Sequence, residues 1–96
     1  MPKFTIMRDS IVIKEITLSQ DLITIGRRHD NDIVIEAQTI SGEHAAIVQL
    51  NNDAYIEDLN STNGTQVNGQ PVKKHFLQDG DVIELVNYSI KYNANA

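Results

Sequence analysis

Apolar residues in this chain recur at every second position almost everywhere, and no window offers them at i, i+3, i+4 and i+7 over three turns, which leaves it little to fold into except β-sheet. Phe4 and Ile6 alternate with Lys3, Thr5 and Met7, and Tyr88, Ile90 and Tyr92 alternate with Ser89, Lys91 and Asn93. Val12, Ile16 and Leu18 are expected to share one face. Successive strand side chains point to opposite faces, so this pattern marks half-buried strands. Further strands are predicted over Leu22–Ile25, Ile33–Ile35, Ala45–Leu50, Ala54–Asp58, Gln66–Val67 and Val82–Leu85. Turn-forming clusters separate them: Arg8-Asp9-Ser10, Asn51-Asn52-Asp53, Asn60 to Gly64, Asn68-Gly69, Asp79-Gly80 and Val86-Asn87. Asn68-Gly69, set between Gln66-Val67 and Gln70 to Val72, is the strongest hairpin signal, because both residues accept the positive φ of a type I′ turn. About ten short strands with regular turns predict an all-β sandwich or barrel. The tail Asn93–Ala96 is expected to fray.

At 96 residues the chain is expected to form one domain over residues 1–96, with its core over about residues 3–92. Eight Lys and Arg stand against 13 Asp and Glu, a net charge of −5, which argues against a nucleic-acid or anionic-membrane surface. The apolar runs are far shorter than the roughly 18 residues that span a bilayer, so no membrane insertion is expected. Without cysteine there is neither a disulfide framework nor a thiolate zinc site, in keeping with a reducing, cytoplasmic location. His29, His44 and His75 lack ligand spacing, so neither a metal nor a cofactor is expected. Asp30-Asn31-Asp32 superficially resembles a calcium loop, but it lacks the Gly at the sixth position and the closing Glu, and is read as a solvated turn. Lys73-Lys74-His75 is likewise read as a solvated basic loop.

Three segments place polar residues and glycines where strands should end. They are Ile25-Gly26-Arg27-Arg28, then Ser41-Gly42-Glu43-His44 running into the apolar stretch from Ala45, then the twelve residues Asp58-Leu59-Asn60-Ser61-Thr62-Asn63-Gly64-Thr65-Gln66-Val67-Asn68-Gly69. In this order and at these separations the chain resembles the forkhead-associated (FHA) domain, a family written around G-R, S-x-x-H and a loop of the form D-L-x-S-T-N-G-T-x-V-N-G. The first two motifs are weak alone; the third is highly specific.

The resemblance implies an FHA-type β-sandwich of about eleven mostly antiparallel strands. Loops at one end of it would bind a threonine-phosphorylated protein or peptide in signalling, and no chemistry would be performed. Its residue types suit that task. A phosphothreonine carries about −1.5 to −2 charges and three strong acceptor oxygens. Arg27 offers a planar fork that can meet two of them, and Ser41 offers a hydroxyl. By resemblance Thr62 lies against the phosphothreonine and Asn63 holds the ligand's main chain; Arg28 is read either as an auxiliary ligand contact or as a solvated surface charge. Gly26, His44, Gly64, Asn68 and Gly69 are assigned to holding the loops. Gly42 departs from the pattern, since the family often carries a polar or basic residue there. Its backbone N–H remains for the ligand, but the side-chain donor is gone. The alternative reading is a phosphate-independent interaction or self-association domain of the same fold. A hydrolase built on Ser41 and His44 lacks an orienting acid. Such domains commonly form parts of longer multidomain chains.

Overall fold

The computed structural model describes residues 2–51 and 53–94. Eleven strands follow in order: β1 (Lys3–Arg8), β2 (Ile11–Thr17), β3 (Leu22–Gly26), β4 (Ile33–Val34), β5 (Ala45–Leu50), β6 (Asp53–Asp58), β7 (Gln66–Val67), β8 (Gln70–Pro71), β9 (Lys74–Phe76), β10 (Val82–Leu85) and β11 (Tyr88–Asn93). They form a six-stranded sheet in the order β2-β1-β11-β10-β7-β8 and a five-stranded sheet in the order β4-β3-β5-β6-β9. Among the described residues only the β3–β4 pair is parallel. No helix among the described residues is long and apolar enough to cross a membrane.

Register turns the alternation into a core. Ile6, Ile90, Ile83 and Val67 lie directly opposite one another across four strands of the first sheet. Ile23, Ile47 and Ile56 do the same across the second. All seven are buried, and Phe4 and Tyr92 close one flank with ring centroids 5.7 Å apart. β-branched isoleucine suits these positions because its restricted χ1 costs little on a pleated surface. The β7–β8 hairpin turns at Asn68 (φ 52°) and Gly69 (φ 83°), as the Asn-Gly pair predicts.

Four expectations need correction. Val12 does not share a face with Ile16 and Leu18. Ile6 pairs with Lys14 but Met7 pairs with Val12, so an extra residue in β2 shifts the register and flips the outer half of the strand. Val12 is consequently exposed, while Ile16 and Leu18 pack against the core. Lys73-Lys74-His75 is not a solvated loop. Lys74 and His75 open β9, which pairs with β6, and the two-sided polarity of this short strand hid it. Asp30-Asn31-Asp32 is not simply solvated either, since Asn31 is buried and Asp32 accepts bonds from the Thr24 N–H (2.9 Å) and hydroxyl (3.2 Å). In the tail, Asn93 completes β11 and the Ala94 N–H donates to Asp79 (2.8 Å), so fraying does not begin there. Residues 95 and 96 lie outside the described residues, as does Asn52 in the turn between β5 and β6.

Candidate functional site

Three connections meet at one end of the sandwich: residues 27–32 after β3, 35–44 before β5 and 59–65 after β6. β3 ends in Gly26 because no side chain fits there. A Cβ would fall on the carbonyl oxygen of Gly42 and 2.8 Å from the Asn31 amide nitrogen. That close approach lets the Arg27 N–H donate to the Ser41 carbonyl (3.0 Å) and the Arg28 N–H to the Gly42 carbonyl (3.2 Å). Asn31 then bridges the same two loops, its amide donating to the carbonyls of Arg28 (2.9 Å) and Gly42 (2.8 Å).

His44 joins the second loop to the third. It is fully buried; its Nδ1 accepts from the Ser41 N–H (3.2 Å) and its Nε2 donates to the Gly64 carbonyl (2.9 Å). Both ring nitrogens are therefore occupied in the Nε2–H tautomer, and neither is free to take a proton from Ser41. The Ser41 hydroxyl oxygen instead accepts the Thr62 N–H (3.0 Å), which leaves its own proton available to an outside acceptor. Asn63 donates its amide to the Thr39 carbonyl (2.9 Å), leaving its carbonyl oxygen open. Gly64, at φ 85°, provides the left-handed turn that brings its carbonyl under His44.

The third loop has its own anchor in Asp58. Its carboxylate accepts the Ser61 hydroxyl (2.5 Å), the Thr65 hydroxyl (2.7 Å) and the Ser61 N–H (3.1 Å), with the Lys73 ammonium 3.6 Å away. Burial pushes the Asp58 carboxyl up, but the bonds from Ser61 and Thr65, helped by Lys73, outweigh it and hold the group below the ordinary carboxylate range. Ser61 relays the support by accepting the Gly64 N–H (2.9 Å).

Among the described residues, Arg27, Ser41, Gly42, Thr62, Asn63, Arg28, Gly26, His44 and Gly64 thus belong to one set of stitched loops. The Arg27 guanidinium has no hydrogen-bond or ion-pair partner among them, whereas Arg28 pairs with Glu43 at 3.3 Å. Asn68 and Gly69 stand apart: their bonds go to Asp81, Val82 and Glu84 on and before β10. Sequence reasoning missed Asn31, Asp58 and Glu43. Asp58 carried a usable signal, a short acceptor three residues before Ser61, the spacing at which side chains fold back on the main chain. Asn31 and Glu43 carried none. No three His, Asp or Glu side chains among the described residues gather as a metal site.

Known proteins resemble this chain in sequence and in fold. The family model described as FHA domain matches residues 23–86. The transcriptional regulatory protein EmbR of Mycobacterium tuberculosis is 37% identical over 73 residues, which is 75% of this chain but 19% of EmbR. The chain therefore spans about a fifth of that relative's length. The FhaA FHA domain, solved in complex with the intracellular domain of Rv3910, superposes with a TM-score of 0.87 at 32% identity, covering 97% of this chain and all of that one. Mycobacterium tuberculosis EmbR, solved with a low-affinity phosphopeptide, superposes with a TM-score of 0.88 at 29% identity over 98% of this chain and 25% of that one. With Gly26-Arg27, Ser41 to His44 and the Asp58–Thr65 part of the third motif assembled at one end of a two-sheet sandwich of six and five strands, the chain belongs to the forkhead-associated (FHA) domain family.

Proposed function

We propose that this end of the sandwich binds a phosphothreonine segment of a partner protein in signalling. Arg27 and Ser41 hold the phosphate with the Gly42 N–H, while Thr62 and Asn63 frame the peptide. The observation that carries the reading is an Arg27 guanidinium without a partner among the described residues, on a loop whose backbone is bonded to Ser41, a serine whose hydroxyl proton is uncommitted. On a chain of net charge −5, an uncommitted fork and an uncommitted hydroxyl on two bonded loops suit a compact anion. Preorganisation favours it further. The loops are already locked by Asn31, His44 and Asp58, so little ordering cost falls on binding. Three or four charge-assisted bonds at roughly 1.5–3 kcal/mol each reach the ~8 kcal/mol of a micromolar complex only before the cost of association, so contacts to the peptide's flanking residues must supply the remainder. Beside Asn63 an open cleft of about 310 Å³, lined also by Gly64, Gln66, Glu84 and Val86, takes a residue flanking the phosphothreonine.

The domain acts by binding and not by turnover, since both nitrogens of His44 are spent on loop backbone. The structures of EmbR with a phosphopeptide and of FhaA with the intracellular domain of Rv3910 support a peptide-binding role for this chain. Residues 1–96 form one domain with its core over about residues 3–92, acting in the cytoplasm alone or within a longer multidomain chain. The test is calorimetric titration with a peptide pool carrying a fixed phosphothreonine and degenerate flanks, against its unphosphorylated twin. Micromolar binding of the first alone is expected. Equal binding of both overturns the proposal in favour of phosphate-independent association.

A further inference from the structure

Position 42 is where the chain leaves the family's pattern, and the side chain of Arg28 occupies the vacated space. A Cβ on Gly42 would meet Arg28 Nε at 3.0 Å, Cγ at 3.3 Å and Cδ at 3.4 Å. The arginine thus lies against the α-carbon of Gly42, its Nε in tight contact with the position a β-carbon at 42 would take. The backbone holds it there through the Arg28 N–H on the Gly42 carbonyl and the two amide bonds of Asn31. Gly42 is not among the residues with positive φ. Its backbone does not demand glycine; room for Arg28 does. The guanidinium rests on Glu43, Nη1 to Oε1 3.3 Å, with both side chains at least 60% exposed.

We propose that Arg28 is a second phosphate-binding guanidinium, supplying from the neighbouring loop the donor that Gly42 lacks, and that Glu43 parks it until a phosphate arrives. This rests on the phosphothreonine reading above. Consecutive α-carbons are about 3.8 Å apart, so an arginine lying over Gly42 is within one residue's reach of Ser41. An exposed ion pair contributes little, and a ligand bearing about −1.5 to −2 charges outcompetes a single carboxylate for the same fork. Glu43 meanwhile puts a negative charge beside an anion site. Arg28 therefore both neutralises Glu43 and contacts the phosphate, and these two roles can be separated.

The experiment titrates the same phosphothreonine pool into Arg28→Ala, Glu43→Gln, the Arg28→Ala/Glu43→Gln double variant and Arg28→Ala/Gly42→Arg, with melting curves to verify each fold. Losing one charge-assisted contact should weaken Arg28→Ala about tenfold. Glu43→Gln should tighten binding about threefold by freeing Arg28 and removing the opposing charge. In the Glu43→Gln background the Arg28→Ala loss should persist. With Glu43 intact, Arg28→Ala/Gly42→Arg should recover most of the affinity lost in Arg28→Ala by returning a guanidinium beside Ser41. If the double variant binds as tightly as Glu43→Gln alone, Arg28 serves only to neutralise Glu43 and the inference falls. It falls too if Arg28→Ala binds like wild type. Arg27→Ala separates the two levels: wild-type affinity there sinks the phosphothreonine reading itself, whereas lost binding there with a neutral Arg28→Ala sinks only the role of Arg28.

Discussion

Removing the Asp58 carboxylate should loosen the recognition loop from below without touching a residue that faces the ligand. In Asp58→Ala the Thr65 hydroxyl loses its acceptor at a position only 2% exposed, where no water replaces it. A buried unsatisfied donor costs about 1–3 kcal/mol. Ser61 loses two bonds but is only half-buried, so solvent recovers part of them. The Lys73 ammonium is 80% exposed, and its pair adds about 0–1 kcal/mol at most. Together these give a loss of about 2–4 kcal/mol, a large part of the roughly 5–15 kcal/mol that holds a domain together. Asp58→Asn keeps the shape and one acceptor oxygen but turns an NH₂ toward the Ser61 N–H or the lysine, and should lose about 1–2 kcal/mol.

Urea unfolding followed across pH distinguishes charge from shape. The folded-state Asp58 carboxyl titrates below its ordinary value. Its stabilising contribution is therefore complete above the ordinary carboxylate range and drains away as pH falls through the lowered folded-state value. Asp58→Asn has no proton to gain at this site, so its deficit relative to wild type should shrink as pH drops through that window. Asp81 is lowered too, for although burial raises it, bonds from the Gln78 N–H, Asn68 and His75 prevail. It titrates in both proteins and cancels in the comparison. A deficit unchanged across the acid range, or a wild-type midpoint in Asp58→Ala, would refute the account of this carboxylate as the loop's anchor.

Arg27→Ala should lower phosphopeptide affinity by about 2–4 kcal/mol with an unchanged melting curve, and Arg27→Lys should lose most of the same amount because a point charge cannot replace the fork. His44→Ala strands the Ser41 N–H and the Gly64 carbonyl around a cavity; chemical denaturation should register a loss of about 2–4 kcal/mol, with binding weakened as a consequence. Gly26→Ala drives a methyl into the Gly42 carbonyl, so a melting experiment should find it more damaging than the usual overpacking penalty of about 1–3 kcal/mol.

The sheet interior was legible because the core residues repeat at the period of the structure they build. Ile6, Ile23, Ile47 and Ile83 need nothing beyond alternation to be assigned inward. The same logic fails where the count slips. A single inserted residue in β2 reversed the face of Val12, and no periodicity argument can see an insertion that only the partner strand defines. β9 was invisible for the opposite reason: of Lys74, His75 and Phe76 only His75 is even half-buried, so the strand exists through its ladder to β6 rather than through burial.

The site divides along a different line. Arg27, Ser41, Thr62 and Asn63 can be proposed from sequence because their chemistry is written in the side chains themselves, a fork, a hydroxyl and two loop residues in a specific motif. What sequence cannot display is which loop leans on which. Asn31 and Arg28 act across an eleven- and a fourteen-residue separation, on Gly42, and neither residue type announces a partner. The consequence for Gly42 is concrete. Taken alone, a glycine after Ser41 reads as a missing contact that Gly42→Arg should repair. With Arg28 lying across its α-carbon, that substitution instead sets two guanidinium groups in one space, and the affinity gained from one is forfeited by displacing the other. A gap in a motif and a compensated gap look identical in one dimension; only the loop that folds over position 42 distinguishes them.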